Sequence, residues 1–428
     1  MITAKFKDSP LGPIPQDWEV KRLGDVVTLV TKGTTPTSIG CEFTHSGVKF
    51  LKAESIADNG SLIPSMFAYI SEQTHELLRR SQLKENDILF SIAGVLGRVG
   101  IVSKEVLPAN TNQALAIIRP NIDGEVDIKF LFYCLHAEYI TEAINQLQVG
   151  VAQANLSLEN VEGLRLALPP LSEQQRIAEA LGEVDKLIES LDEQIEKKRL
   201  IAKGVAHDLL SGAKRLPGFK GAWREVAFKA AFISLGNNTY ARECLCGDSA
   251  NAYDIHYGDV LIRFGAVVDF SSDYIPRLKD GIKPNKDFLQ DGDIVFADTA
   301  EDEMVGKAVE IRGLGDDKAV SGLHTMACRP RADMFAPRFL GYYLNSDSYR
   351  KQLLPLITGS KVSSLSRANF ESTTLTMPDV SEQQAIADLL GEQDAAIAAL
   401  EGKREKYVRI KEGMMRDLLT GKVRMKGE

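Results

Sequence analysis

Residues able to do covalent chemistry are present in this 428-residue sequence but do not assemble into a motif. Acid-x-Lys pairs of the nuclease type occur at Glu196 with Lys198, Asp127 with Lys129 and Asp316 with Lys318, and 59 acidic residues make such pairs a matter of chance. Cys244-x-Cys246 with His256 is the one hint of metal ligation, and it lacks the second ligand pair that zinc sites usually supply. The histidines (His45, His75, His136, His207, His256, His324) form no His-Glu-x-x-His pattern. No Gly-x-x-x-x-Gly-Lys-[Ser/Thr] phosphate loop, no Gly-x-Gly-x-x-Gly between strand and helix, and no Asn-Pro-Pro-aromatic segment for holding an adenine is present. The expectation is a chain without catalytic residues, metal or cofactor of its own.

Recognition chemistry has better candidates. Two Gly-centred segments, Asp87-Ile88-Leu89-Phe90 running to Gly97-Arg98 and Asp293-Ile294-Val295-Phe296 running to Gly306-Lys307, each end a strand in a glycine followed by a cation. Glycine allows close backbone approach, and the cation could meet a phosphate or a guanine edge. Against this, 51 Lys and Arg face 59 Asp and Glu, a net charge of -8, so the chain cannot coat nucleic acid by uniform positive charge. Phosphate contacts would have to be concentrated on one face or shared with partners. Five cysteines, no apolar signal core and no apolar run of bilayer length predict a cytoplasmic protein with reduced thiols.

The elements that position these segments are written twice. Ser172-Glu173-Gln174-Gln175-Arg176-Ile177-Ala178 recurs at an offset of 209 as Ser381-Glu382-Gln383-Gln384-Ala385-Ile386-Ala387, and 20 of 41 positions are identical through Gly212 and Gly421. Upstream, Leu156-Ser157 pairs with Leu365-Ser366, Asn160 with Asn369, and Trp18 with Trp223. Each half is a mixed region followed by a helical one, so the expected fold class is α+β in tandem duplication. Short apolar runs such as Asp259-Val260-Leu261-Ile262 and Ile117-Ile118-Arg119-Pro120 read as strands.

Prolines at Pro169, Pro170 and Pro378 precede both helices, with Ser172 and Ser381 as expected N-caps and Gln175 and Gln384 completing capping boxes. Steps of four and three pick out a seam of Ile177, Leu181, Val184, Ile188, Leu191, Ile195, Lys198, Ala202, Val205 and Leu209. In the second helix the same frame selects Ile386, Leu390, Gln393, Ile397, Leu400, Arg404, Tyr407, Lys411, Met414 and Leu418, with Gly421 as the stop. A rise of ~1.5 Å per residue predicts rods on the order of 55 Å, which would most simply pair with each other.

Two mixed halves, each closed by Pro-x-x-Ser-Glu-Gln-Gln-x-Ile-Ala, Leu-Gly and a helix ending Asp-Leu-Leu-[Ser/Thr]-Gly, resemble the specificity subunit of type I restriction-modification enzymes. Gly12-Pro13-Ile14-Pro15 before Trp18, the Asp-Ile-[Leu/Val]-Phe strands, Ser321 to Thr325 and Arg329-Pro330 resemble that family too. The resemblance implies target recognition domains at 1–168 and 215–377, and conserved helices at 169–214 and 378–428 paired as an antiparallel coiled coil that sets a spacer. It also implies two modification (methyltransferase) subunits using S-adenosylmethionine, and restriction subunits using ATP and Mg. Each domain would read one half of an asymmetric split DNA target. By residue type and loop position, the expected DNA-facing residues are Lys49, Lys52, Ser91, Arg98, Asn112 and Gln113 in the first domain, and Arg263, Thr299, Lys307 and His324 in the second.

Overall fold

The two Asp-Ile-[Leu/Val]-Phe segments carry apolar residues on both strand faces, which suits a strand covered on both sides. They form the strands Ile88–Ser91 and Ile294–Ala297, buried at every residue. Ile88–Ser91 lies between Leu115–Pro120 and Val99–Ile101, with Val27–Lys32 at the far edge, in an antiparallel four-stranded sheet. Ile294–Ala297 lies between Thr325–Pro330 and Ala308–Arg312, with Phe232–Leu235 at one edge and Val267–Asp269 added parallel at the other.

The aspartate that opens each motif has a structural cause. Asp87 and Asp293 are 1 % exposed and receive bidentate bonds from Arg119 (2.7 and 2.6 Å) and Arg329 (2.9 and 2.7 Å). In each, Oδ2 also accepts from a turn amide, Lys84 N at 2.8 Å and Gln290 N at 2.8 Å. A buried carboxylate is tolerated because both of its oxygens have donors, two of them from one guanidinium.

The structure, a computed structural model, describes residues 5–121, 124–148, 155–284, 287–359 and 361–425. It contains two compact units, Met1–Leu191 with Lys403–Glu428, and Asp192–Gly402. Each long helix, Leu171–Leu210 and Val380–Leu418, therefore gives part of its length to each unit. Beside the main sheet each unit has a parallel strand pair, Val48–Leu51 with Ala109–Thr111 in the first and Tyr253–Ile255 with Ala319–Ser321 in the second.

One expected strand is a helix. Asp259 to Ile262 lies within the helix Tyr257–Ile262, started by His256, whose Nδ1 accepts from Gly258 N. A four-residue apolar run fits one turn of a helix as well as a strand; here Val260 is fully buried while Ile262 is 85 % exposed.

The helix caps also differ from expectation. The helices begin at Leu171 and Val380, one residue before the serines. In the second, Asp379 is the cap: its Oδ1 accepts from Glu382 N (3.0 Å) and from Ser381 Oγ (2.6 Å). In the first, the Pro170 carbonyl accepts from Glu173 N at 2.8 Å. Gln384 bonds Asp388 at 2.8 Å rather than closing a capping box.

The repeated Glu-Gln instead ties each helix start to its unit. Gln174 is buried and bonds the Pro169 and Glu125 carbonyls and Asp127 N; Gln383 does the same with the Pro378 and Met334 carbonyls and Ala336 N. Glu173 takes Arg424 (2.9 and 2.7 Å), Met425 N (3.0 Å) and Trp18 Nε1 (3.3 Å). Glu382 is held by Arg215, whose guanidinium lies 5.6 Å over the Trp223 ring.

Within each unit the helices run antiparallel. In the first, Asp185 meets Lys411 at 2.6 Å; in the second, Arg199 meets Glu401 at 2.6 Å. Of the expected seam, Ile177, Leu181, Leu191, Ile195, Leu209, Ile386, Leu390 and Leu418 are buried, and Val184, Ile188, Ile397, Leu400 and Tyr407 are half-buried. Lys198 is exposed, and Leu200 and Ile201 are 70 % and 53 % exposed. The helix ends pack into the unit cores, Ile177 and Leu418 in one and Leu209 and Ile386 in the other. Among the described residues no helix is long and apolar enough to cross a membrane.

Candidate nucleic-acid interface

Each unit builds a polar surface where the loop after an edge strand meets the end of the parallel pair. In the first unit, Thr34 N donates to Thr111 O (3.2 Å) and Gly33 N to Asn112 O (3.1 Å). A Cβ on Gly33 would stand 1.9 Å from Thr111 O, so this approach requires glycine. It brings Asn112 and Gln113 beside Thr34 and Thr35: Thr35 Oγ1 bonds Gln113 Oε1, and Arg80 Nη2 donates to Thr34 Oγ1 at 3.1 Å. Arg79, Arg80, Lys32 and Gln113 are exposed. Three cations and two amides at one strand end form a surface suited to phosphate and base edges.

The other residues expected to face DNA in this unit are engaged elsewhere. Ser91 is fully buried and accepts from Arg98 N at 2.7 Å, so it is a turn residue. Lys49 donates to Glu105 O at 2.8 Å. Lys52 starts the 3-10 turn Ala53–Ser55 and lies 4.9 Å over the Phe43 ring. Arg98 pairs with exposed Asp58 at 3.0 Å, a bond that water and a competing anion can both reach.

In the second unit the backbone bond recurs as Asn238 N to Ser321 O, 2.7 Å. His324, at φ +52, lies edge-on to Tyr257 (5.3 Å), 3.9 Å from Asp298 and 3.5 Å from Thr299 Oγ1. Thr299 and His324 are therefore brought together. Lys307 is not part of this surface. Its Nζ donates to Leu261 O (3.1 Å) and Phe264 O (2.7 Å), capping the helix Tyr257–Ile262, and burial pulls its pKa below the usual lysine value. Gly97 and Gly306 do correspond, both left-handed at φ +80 and +83, but the cations that follow them face different surroundings.

Arg263 belongs to a larger cluster. Asp259, 3 % exposed, takes Arg242 on Oδ2 and Arg263 on Oδ1 (3.1 Å). Arg263 also donates to Tyr274 O at 3.1 Å and lies 5.0 Å over the Tyr274 ring. Nearby Asp254 is fully buried with both oxygens unpartnered, and burial followed by the charge of Asp259 pushes its carboxyl up to about 7. Arg79, Arg80 and Arg242 escaped sequence reading. Only the adjacent pair Arg79-Arg80 offered a local signal.

The α+β framework is thus present twice, with a different polar surface on each copy. Residues 15–198 match the family model described as type I restriction modification DNA specificity domain. The chain is 26% identical to the type I restriction enzyme MjaVIII specificity subunit of Methanocaldococcus jannaschii over 98% of this chain and 96% of that one. Its fold is similar, at a TM-score of 0.57 and 17% identity over 96% of this chain and 99% of the other, to a chain solved for the complex assembly and conformational transition of the type I restriction-modification system. It is likewise similar to the type I restriction-modification S subunit from M. genitalium, at a TM-score of 0.55 and 15% identity over 97% and 99%. The family model covers residues 15–198, and the likeness to specificity subunits of type I restriction enzymes extends over nearly the whole chain.

Proposed function

We propose that this chain is the non-catalytic DNA-recognition subunit of a type I restriction-modification complex, each unit reading one half of an asymmetric split target. The observation that carries the reading is the pairing of one framework with two different polar surfaces: Lys32, Arg79, Arg80, Asn112 and Gln113 in one unit, Arg242, Arg263, Thr299 and His324 in the other. Identical framework bonds support a common docking mode, and unlike surface residues support different half-sites. The paired helices would set the spacer and dock two modification subunits. S-adenosylmethionine, ATP and Mg would be bound by the modification and restriction subunits, and shared phosphate contacts would reconcile a net charge of -8 with DNA binding.

Two outcomes follow for the complex. Arg79→Ala with Arg80→Ala is expected to weaken binding to all sequences alike and to lower the slope of log K against log salt by about 1–2, read by titration at several salt concentrations. An unchanged slope would remove these arginines from the interface. Inserting one heptad near Gln194 and a matching heptad near Lys403 is expected to lengthen the spacer of the methylated motif and keep both half-sites. Methylation mapping reads the result, and a changed half-site would sink the ruler assignment.

A further inference from the structure

The two units correspond residue by residue along their parallel strand pairs. Leu51 pairs with Thr111 as Ile255 pairs with Ser321, and each strand leads into a short turn of helix. Four residues after the strand end stand Ser55 and Asp259, each donating its backbone N–H one turn back, to Lys52 O at 2.9 Å and His256 O at 3.0 Å. Both are buried, at 0 % and 3 %. Ser55 serves the backbone alone: its Oγ accepts from Lys52 N and donates to Met66 O. The fold therefore does not need a carboxylate at this place. In the second unit it has one, and that carboxylate grips two arginines.

An arginine carries five donors in a planar fork. Arg242 gives one to Asp259, and Arg263 gives one to Asp259 and one to the Tyr274 carbonyl. Their side chains remain 50 % and 37 % exposed, so further donors face water. Asp259 alone faces two arginines, and the buried Asp254 beside it keeps its proton below about pH 7, so positive charge is left to be met from outside. Tyr274, 59 % exposed, rims the cluster with its ring 5.0 Å from Arg263. A rigid, partly desolvated guanidinium is the side chain that reads guanine, through O6 and N7 together.

We infer that Asp259 is a positioning residue that holds Arg242 and Arg263 to read a guanine in the half-site of the second unit. The inference rests on the DNA-recognition reading. An ion pair required only for folding would be expected at both equivalent places, whereas this one occurs where the two units must differ to read different sequences.

The test uses the chain co-expressed with its modification subunits, with methylated adenines mapped genome-wide. Asp259→Ser, which installs the residue of the other unit, and Arg263→Lys, a surface change that keeps the charge, are compared with the unaltered chain. Retained complex assembly by size exclusion and an unaltered melting profile for Arg263→Lys serve as folding controls. The expected result is that one guanine position of the second half-site relaxes, discrimination there falling roughly tenfold, while the first half-site and the spacer stay the same. A uniform drop in methylation with the motif intact would mark a phosphate contact and overturn the inference, as would no change at all. If the unaltered chain directs no motif, the recognition reading fails first and the inference with it.

Discussion

Asp254→Asn is expected to stabilise the second unit at pH 8 by on the order of 3–4 kcal/mol and to change little at pH 4. The aspartate occupies the place that Phe50 fills in the first unit: Phe50 faces Asn110 across the parallel pair, and Asp254 faces Val320. Both side chains are fully buried. Gly322 packs so closely that a Cβ there would lie 2.2 Å from Asp254 Oδ1. Burial holds the folded carboxyl at about 7, while the unfolded chain releases its proton near 3.9. Between these values the folded state keeps a proton that the unfolded state has lost, so stability falls as pH rises from about 4 to about 7. Asparagine has the same shape and no proton to lose. Urea melts at pH 4 and pH 8 test this, and a parallel pH dependence in both proteins would contradict it.

The second large effect concerns the clamp at the start of the first long helix. Glu173→Ala is expected to cost the first unit about 2–3 kcal/mol, because Arg424 loses its buried partner and keeps only the exposed carboxylate of Asp17 (2.8 and 2.7 Å). Burial alone would raise the Glu173 pKa, but bonds from Arg424 and Met425 N hold it below the usual carboxylate value. This contribution is present above the unfolded pKa and is lost as pH falls through the lowered one. Arg424→Ala should cost at least as much, since it also frees Asp17, and the double change should cost less than the sum of the two. Additive losses would show that the two groups act independently. Glu382 with Arg215 should behave in the same way in the second unit.

Repetition made the architecture legible, since a duplicated Ser-Glu-Gln-Gln start and an unbroken seam can be read without knowing any contact. Helix starts were less legible. Ser172 and Ser381 have the right chemistry for caps, but Pro170 and Asp379, each two residues earlier, reach the first-turn amides, and the motif instead answers to Arg424 and Arg215, distant in sequence. The interface was the least legible part. Ser91 and Lys307 have recognition chemistry, yet one closes a turn and the other caps a helix. Arg242 gains its place only through Asp259, a partner that a local reading assigned to a strand. Asn112 and Gln113 were chosen by type and loop position, and the structure places them just after the strand Ala109–Thr111, beside Thr34 and Thr35.

The most direct test of the account is to co-express the chain with its modification subunits and map methylated adenines across a bacterial genome by long-read sequencing. The account predicts one split motif with two unlike half-sites, lost when this chain is deleted. A motif that persists without the chain, or one with two identical half-sites, would contradict it.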